Sequence, residues 1–496
     1  SFSGNLLHDN ASYPCTLETL DLSFNSLSKP IPRAFFDSCD HLTSLNLFPN
    51  SIYKGSFYIG SSLLELDLSS NLISDFSILK YLFSNCENVK LLNLSYNKLF
   101  EKVDKLSSCK NLSILDLTNN LLSRDIPALL FVDLARSLKF LDISHNNLSV
   151  NFFMLDFGGC LSFWYRYSNL LNNALYGSGI PHSLINYQLL KNLDLSHIQL
   201  QDIIPATLGN LKHLNLANND YFGNIPPELG WTCSTLVELD HFKNKLSGAF
   251  PKTLKSCDSL QSLYLGNNQL FENFLITVIT SLPGLQILEV PFNNISGFCS
   301  SSASFSSLQK LLLARNFLSG TVPLDIGNCK KLRTIALSLN NPRGSIPPNR
   351  FLYTDIGTLP KLTILQLNHN SFIGRIPPEL GSCQSLLWLD LNNNHLTGNI
   401  PSDLANQVKE IAIRPTLCSM WKESDQKSCI ILLDSNSCTT VRLYYGLTMN
   451  FFTSNGSMIY LNLSSNLLSG LIPDSLSLMS FLFSLPEVII IINEKL

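Results

Sequence analysis

One pattern returns along most of the chain and leaves few folds open to it: L-x-x-L-x-L-x-x-N. It stands as Leu17-Leu20-Leu22-Asn25, Leu42-Leu45-Leu47-Asn50, Leu63-Leu66-Leu68-Asn71, Val89-Leu92-Leu94-Asn97 and Leu112-Leu115-Leu117-Asn120. Later copies include Leu260-Leu263-Leu265-Asn268, Leu362-Leu365-Leu367-Asn370 and Leu386-Leu389-Leu391-Asn394. Counting weak copies there are about seventeen units, ending at Met458-Leu461-Leu463-Asn466. The L-x-L centre predicts a short parallel strand whose leucines point inward while the residues between them face outward. The Asn predicts a side-chain amide that satisfies backbone groups where the chain turns away. A single unit cannot bury its apolar face, so stacking must supply one continuous core.

This is the leucine-rich repeat, and the predicted fold class is an α/β solenoid. Many units continue with L-x-G-x-I-P, as in Leu396-Thr397-Gly398-Asn399-Ile400-Pro401 and Leu468-Ser469-Gly470-Leu471-Ile472-Pro473. Here the sequence resembles the plant-specific class of leucine-rich repeats, which implies a second short strand and a superhelical twist. Some units look damaged. Ile198 replaces the Asn, His241 replaces a strand leucine, and Leu161 to Asn169 reads as a unit with Trp164 and Arg166 at leucine sites. The long steps from Asn169 to Ile198 and from Asn340 to Asn370 read as scars of deleted sequence with poor packing.

Composition narrows the function classes. Charged residues are 14% of 496 and the net charge is −3, which leaves no basic footprint for nucleic acid. At 45% hydrophobic residues, disorder is excluded. No secretory signal opens the chain and no apolar run reaches membrane-spanning length, so no membrane contact is expected from the chain itself. It carries no phosphate-binding, zinc-protease or nucleophile-elbow motif. No enzyme, cofactor or metal is therefore expected. Asp21, Asp67, Asp116, Asp142, Asp194, Asp240 and Asp390 recur between strand leucines and read as a solvated acidic face, not as paired catalytic carboxylates.

Of thirteen cysteines, Cys39, Cys86, Cys109, Cys233, Cys257, Cys329 and Cys383 each lie three residues before the first leucine of a unit. They read as a ladder of small buried hydrophobes, not as disulfides. Cys418, Cys429 and Cys438 sit together outside the repeats and are the disulfide candidates. N-x-S/T sequons stand at Asn10, Asn93, Asn111, Asn147, Asn294, Asn455 and Asn462. Asn93 and Asn462 occupy outward strand positions, where a glycan would stand on the concave face.

Between Asn394 and Asn466 no unit is recognisable, and residues 406–455 carry Trp421, Tyr444, Tyr445, Phe451, Phe452 and the cysteine trio. An insertion of this size and content in a repeat array is expected to be folded and functional. The chain thus divides into repeats at 1–405, an island at 406–455, resumed repeats at 456–485 and an irregular tail at 486–496. The island, its exit through Asn455-Gly456-Ser457-Met458, and the strings Leu386-Leu387-Trp388-Leu389-Asp390-Leu391 and Arg442-Leu443-Tyr444-Tyr445-Gly446 are the specific features here. On these the chain resembles the leucine-rich-repeat ectodomains of plant brassinosteroid receptor kinases.

That resemblance implies an island folded onto the inner solenoid surface, forming an apolar groove for a steroid hormone. The groove residues it implies are Ile364, Leu387, Trp388, Tyr444, Ile459 and Phe483. Ile364, Trp388 and Tyr460 should stack on successive turns. The implied partners are a brassinosteroid and a co-receptor kinase ectodomain, and the implied location is the extracellular face of the plasma membrane. Against this, Leu91, Ile114, Phe140 and Phe163 form another outward apolar column far from the island, so such residues are not diagnostic alone. The short island and the early end of the repeats keep alternatives open: a protein- or peptide-binding repeat protein of decoy or immune type without steroid affinity, or a non-functional gene fragment.

Overall fold

The computed structural model describes residues 3–4, 15–53, 55–74, 76–77, 79–100, 106, 108–123, 137–149, 167–177, 179–180, 190–205, 208, 211–272, 282, 284–297, 307–322, 326–327, 329–347, 359–383, 385–407, 429–432, 442–445, 460–478 and 490–491. It comprises two compact units, Ser1–Gly297 and Phe298–Leu496.

In the first unit, three-residue parallel strands from Thr19–Asp21 to Ile287–Glu289 build one sheet, one strand per repeat. The register is constant, with the central leucines of neighbouring strands opposite one another: Leu45 to Leu66, Leu66 to Leu92, Leu92 to Leu115. From Leu45 onward these leucines and their counterparts two residues later are buried, while Leu20 and Leu22 of the first strand are half-buried. In the second unit a parallel sheet of the same kind runs through Lys310–Leu312, Thr334–Ala336, Ile364–Gln366, Trp388–Asp390 and Tyr460–Asn462. Ile490–Ile491, inside the stretch expected as an irregular tail, pairs in parallel with Leu461–Asn462. A run of isoleucines is suited to that conformation.

Each repeat Asn works across two coils. Asn71 donates through Nδ2 to its own turn at Leu68 O (3.1 Å) and to the preceding coil at Leu47 O (3.1 Å). Its Oδ1 accepts the Ile52 N–H at 3.0 Å. Asn394 repeats this with Leu391 O, Leu367 O and the Phe372 N–H. The residue before the Asn lies in the left-handed region in most coils, for example Tyr96 at φ 53° and Asn393 at φ 51°. Short side chains that tolerate this, and exposed ones that escape crowding, fill that position.

The insertion leaves the ladder unbroken. Trp388 pairs with Tyr460 and Asp390 with Asn462, so two strands separated by the whole island are direct neighbours. Asn466 bonds Leu391 O at 2.9 Å as if the intervening chain were absent.

The second strand implied by L-x-G-x-I-P is present in both units, for example Lys245–Gly248 beside Phe222–Asn224, and His395–Gly398 beside Ser371–Gly374. Short 3-10 helices follow it, including Pro378–Ser382 and Ser402–Gln407. Gly381 lies in the first of these, where a Cβ would overlap the Asp403 backbone of the next coil.

Three expectations need correction. First, six cysteines pair: Cys15 with Cys39, Cys86 with Cys109 and Cys233 with Cys257, at Cα separations of 4.6, 4.8 and 5.0 Å. Stacked coils bring equivalent positions to the spacing a disulfide needs, so cysteines in consecutive repeats bond. Cys329 and Cys383 are buried and do not bond to each other, because Leu359 holds the equivalent site in the coil between them. Second, the damaged repeat runs through Tyr167–Asn169 with Ser168 at the inward leucine site, and Asn173, not Asn169, makes the turn by bonding Leu170 O and Ile143 O. The step from Asn173 to Ile198 is then an ordinary coil length rather than a scar, and Phe140 stacks on Tyr167, not Phe163. Third, the long coil between Asn340 and Asn370 keeps full register, Thr334 opposite Ile364 and Ala336 opposite Gln366.

Candidate functional site

The outward strand positions differ between the units. In the first, Glu65 and Ile114 are exposed and Leu91, Phe140, Asn192 and Ser262 are half-buried at the leading outward position, while Asp142, Asn169, Asp240 and Glu289 are buried at the trailing one. In the second, Leu312, Thr334 and Ala336 are buried, as are Gln366, Trp388, Asp390 and Asn462. Trp388 is only 3% exposed. An indole on the outward side of a short strand would stand in solvent if its own coil were its only neighbour. Ile364, Trp388 and Tyr460 are in register on three successive strands, as expected. Ile364 and Leu387 are half-buried beside Trp388.

Of the island, two strands are described. Cys429–Leu432 pairs antiparallel with Arg442–Tyr445, with Ile430 opposite Tyr444. Ile459, Phe483, Cys418 and Cys438, with the sequons Asn10 and Asn455, lie outside the described residues. Among the described residues no cluster of His, Cys, Asp and Glu could hold a metal.

The acidic track is less solvated than its sequence suggests. Asp142, Asp240 and Asp390 are buried. Asp67, Asp142 and Asp194 each accept the N–H and the hydroxyl of a serine two residues on: Ser69, Ser144 and Ser196. Their second oxygens accept the amide of an asparagine on the next strand: Asn93 (3.2 Å), Asn169 (3.0 Å) and Asn215 (2.9 Å). These carboxylates are turn-closing acceptors. Burial raises the carboxyls of Asp116 and Asp194 above the usual range, and burial lifts Asp390 to about 7.

Comparison with known proteins agrees with this architecture. The family described as Leucine Rich Repeat matches residues 16–38, 137–160, 210–231, 307–329, 361–383, 385–407 and 457–479. The receptor-like protein kinase BRI1-like 3 of Arabidopsis thaliana is 35% identical over 68% of this chain and 33% of its own length. The brassinosteroid LRR receptor kinase BRL3 of Oryza sativa subsp. japonica is 33% identical over 64% of this chain and 30% of its own. The chain is a leucine-rich-repeat protein, related to the plant brassinosteroid receptor kinases. It spans about a third of the length of these relatives. Among solved structures, the Arabidopsis receptor kinase HAESA in complex with the peptide hormone IDA and the co-receptor SERK1 superposes with a TM-score of 0.66. It is 25% identical and covers 94% of this chain and 73% of its own.

In this leucine-rich-repeat chain, two sequon asparagines belong to the ladder and are not free surface amides. Asn93 is half-buried and Asn462 is 8% exposed, not the open position expected. Each accepts hydrogen bonds from the serine two residues on, Ser95 and Ser464. Asn111, Asn147 and Asn294 are exposed. No helix among the described residues is long and apolar enough to cross a membrane.

Sequence alone did not reveal that an outward residue is buried on each of the five strands from Lys310–Leu312 to Tyr460–Asn462, as also at Asp142, Asp240 and Glu289 in the first unit. A signal was present: Leu312, Ala336 and Trp388 replace the Asp or Asn that most earlier strands carry or the polar residues beside them.

Proposed function

We propose that this chain is the ligand-recognition part of an extracellular receptor ectodomain of the brassinosteroid-receptor type. In it an apolar steroid is held between residues 406–455 and the strand face of Ile364, Leu387 and Trp388, with Tyr444, Ile459 and Phe483 completing the groove. The observation that carries this reading is the burial of Trp388 on an outward strand position. Covering one large aromatic removes about 150–250 Å² from water, worth roughly 4–6 kcal/mol before the costs of ordering. A rigid apolar ligand loses little conformational entropy, so more of that gain survives as affinity. A bound ligand at the edge of the groove would then offer surface to a co-receptor ectodomain.

Calorimetric titration of the purified chain with brassinolide tests this. Saturable heat near one hormone per chain is expected, and Trp388→Ala should weaken it at least about tenfold. Absence of heat from wild-type protein with a folded circular-dichroism spectrum overturns the steroid reading. A peptide ligand is the second reading, supported by the HAESA complex with a peptide hormone and by the open outward positions of the first unit, Glu65 and Ile114.

A further inference from the structure

Five N-x-S sequons fall on described residues, and the fold divides them into two kinds. Asn93 and Asn462 are the last residues of their strands. Their Oδ1 atoms accept the N–H and the hydroxyl of the sequon serine, Ser95 at 3.1 and 2.7 Å and Ser464 at 3.2 and 2.9 Å. Asp67, Asp142 and Asp194 close the same turn from the equivalent strand position with Ser69, Ser144 and Ser196. N-x-S in these two coils is therefore the D-x-S turn of the others, with an amide in place of the carboxylate. The Asn93 amide is also engaged, donating to Asp67 Oδ2 at 3.2 Å. Asn462 is 8% exposed, which leaves no room for a sugar.

Asn147 and Asn294 are placed differently. Each directly follows a turn asparagine, Asn146 or Asn293, so both stand at the same place in their coils. The middle residues of these sequons, Leu148 and Ile295, are buried inward. Side chains alternate along extended backbone, so the acceptor asparagine and the hydroxyl two residues on share the outward side. Asn147 with Ser149, and Asn294 with Ser296, are exposed accordingly. Asn111 is exposed too, and donating to the Glu87 carbonyl at 2.8 Å takes only one of its two amide hydrogens. The three disulfides belong to an oxidising compartment, which lies on the same route along which N-glycans are attached.

We propose that Asn111, Asn147 and Asn294 carry N-glycans in the mature protein and that Asn93 and Asn462 carry none. A glycan attached to Asn93 or Asn462 of the nascent chain would obstruct the neighbouring strand, about 4.8 Å away, so chains modified there do not reach the folded, exported population. The strand face of the first unit thus stays bare at Asn93 and open to a partner, while Asn147 and Asn294 set two hydrophilic glycans along one edge of that unit. The inference is independent of the steroid reading.

Expression of the chain through the secretory pathway of a plant cell, enzymatic deglycosylation in heavy-oxygen water and peptide mass spectrometry test it. Asn111, Asn147 and Asn294 should be recovered as heavy aspartate, and Asn93 and Asn462 as unlabelled asparagine. Asn147→Gln and Asn294→Gln should each remove the mass of one glycan and leave the urea midpoint of the deglycosylated protein unchanged. Asn93→Gln should remove no mass yet lower that midpoint, because the longer side chain cannot close the turn with Ser95. Heavy aspartate at Asn93 or Asn462 in the folded protein overturns the proposal, as does unlabelled asparagine at Asn111, Asn147 or Asn294.

Discussion

His241 occupies a leucine site of the ladder and weakens the fold there. It is fully buried, its Nδ1 lies 2.9 Å from the Asp240 carbonyl, and its Nε2 has no hydrogen-bond partner. Burial pushes its pKa down from 6.5 to about 4. A depressed histidine pKa means the unfolded chain binds the proton more readily. Stability is therefore full above pH 6.5 and is lost as pH falls toward 4, by roughly 3 kcal/mol for this group. His241→Leu should remove that slope and add about 1–2 kcal/mol at neutral pH, read by urea unfolding at several pH values. Asp390 carries the opposite sign. Its carboxyl is raised to about 7, so the folded state holds the proton and stability falls as pH climbs from 3.8 toward 7. Asp390→Asn should flatten that limb. The repeat asparagines are the residues the fold can least spare. Asn394→Leu strands the Phe372 N–H and removes one of the two asparagine amides at each of the Leu367 and Leu391 carbonyls, and should cost about 1–3 kcal/mol in denaturant unfolding.

Strands, turns and disulfides follow from the repeat with unequal legibility. The L-x-L strands and the Asn turns could be placed from spacing, because period and turn chemistry agree in nearly every copy. The coil through Ser168 could not, since serine at an inward site hides the strand and only Asn173 keeps the turn. The cysteines carry two signals: their position within each unit resembles that of a buried hydrophobe, while their occurrence in consecutive units decides pairing. Cys86 and Cys109 are one coil apart and bond; Cys329 and Cys383 are two apart and do not. Each bridge closes a loop of 23 or 24 residues and should stabilise by about 3 kcal/mol. Reduction should lower the unfolding midpoint. Peptide mapping of the native protein should recover the three pairs, with Cys329 and Cys383 alkylated only after denaturation. Cys383 also has its thiol pushed up to about 11 by burial, which keeps it unreactive.

At the scale of the molecule, the island is a detour within a single coil. The ladder closes behind it through the Trp388–Tyr460 pairing and the Leu396 N–H donated to Asn466 Oδ1, so the fold does not need the inserted sequence for its sheet. A chain in which residues 406–455 are replaced by a short linker should therefore keep its circular-dichroism spectrum while losing ligand binding. That the face should be covered was implied by family resemblance. The extent of the cover was not legible, because the outward residues Thr334, Gln366 and Asp390 are as polar as those of open strands.

Hydroxyl-radical footprinting read at individual tryptophans addresses the covered face directly, with Trp231, 72% exposed, as the internal reference. In the intact chain Trp388 should oxidise far more slowly than Trp231, and replacing residues 406–455 by a linker should bring the two rates together. Equal rates in the intact chain would mean that the strand face at Trp388 lies open, and no enclosed ligand groove could then exist there.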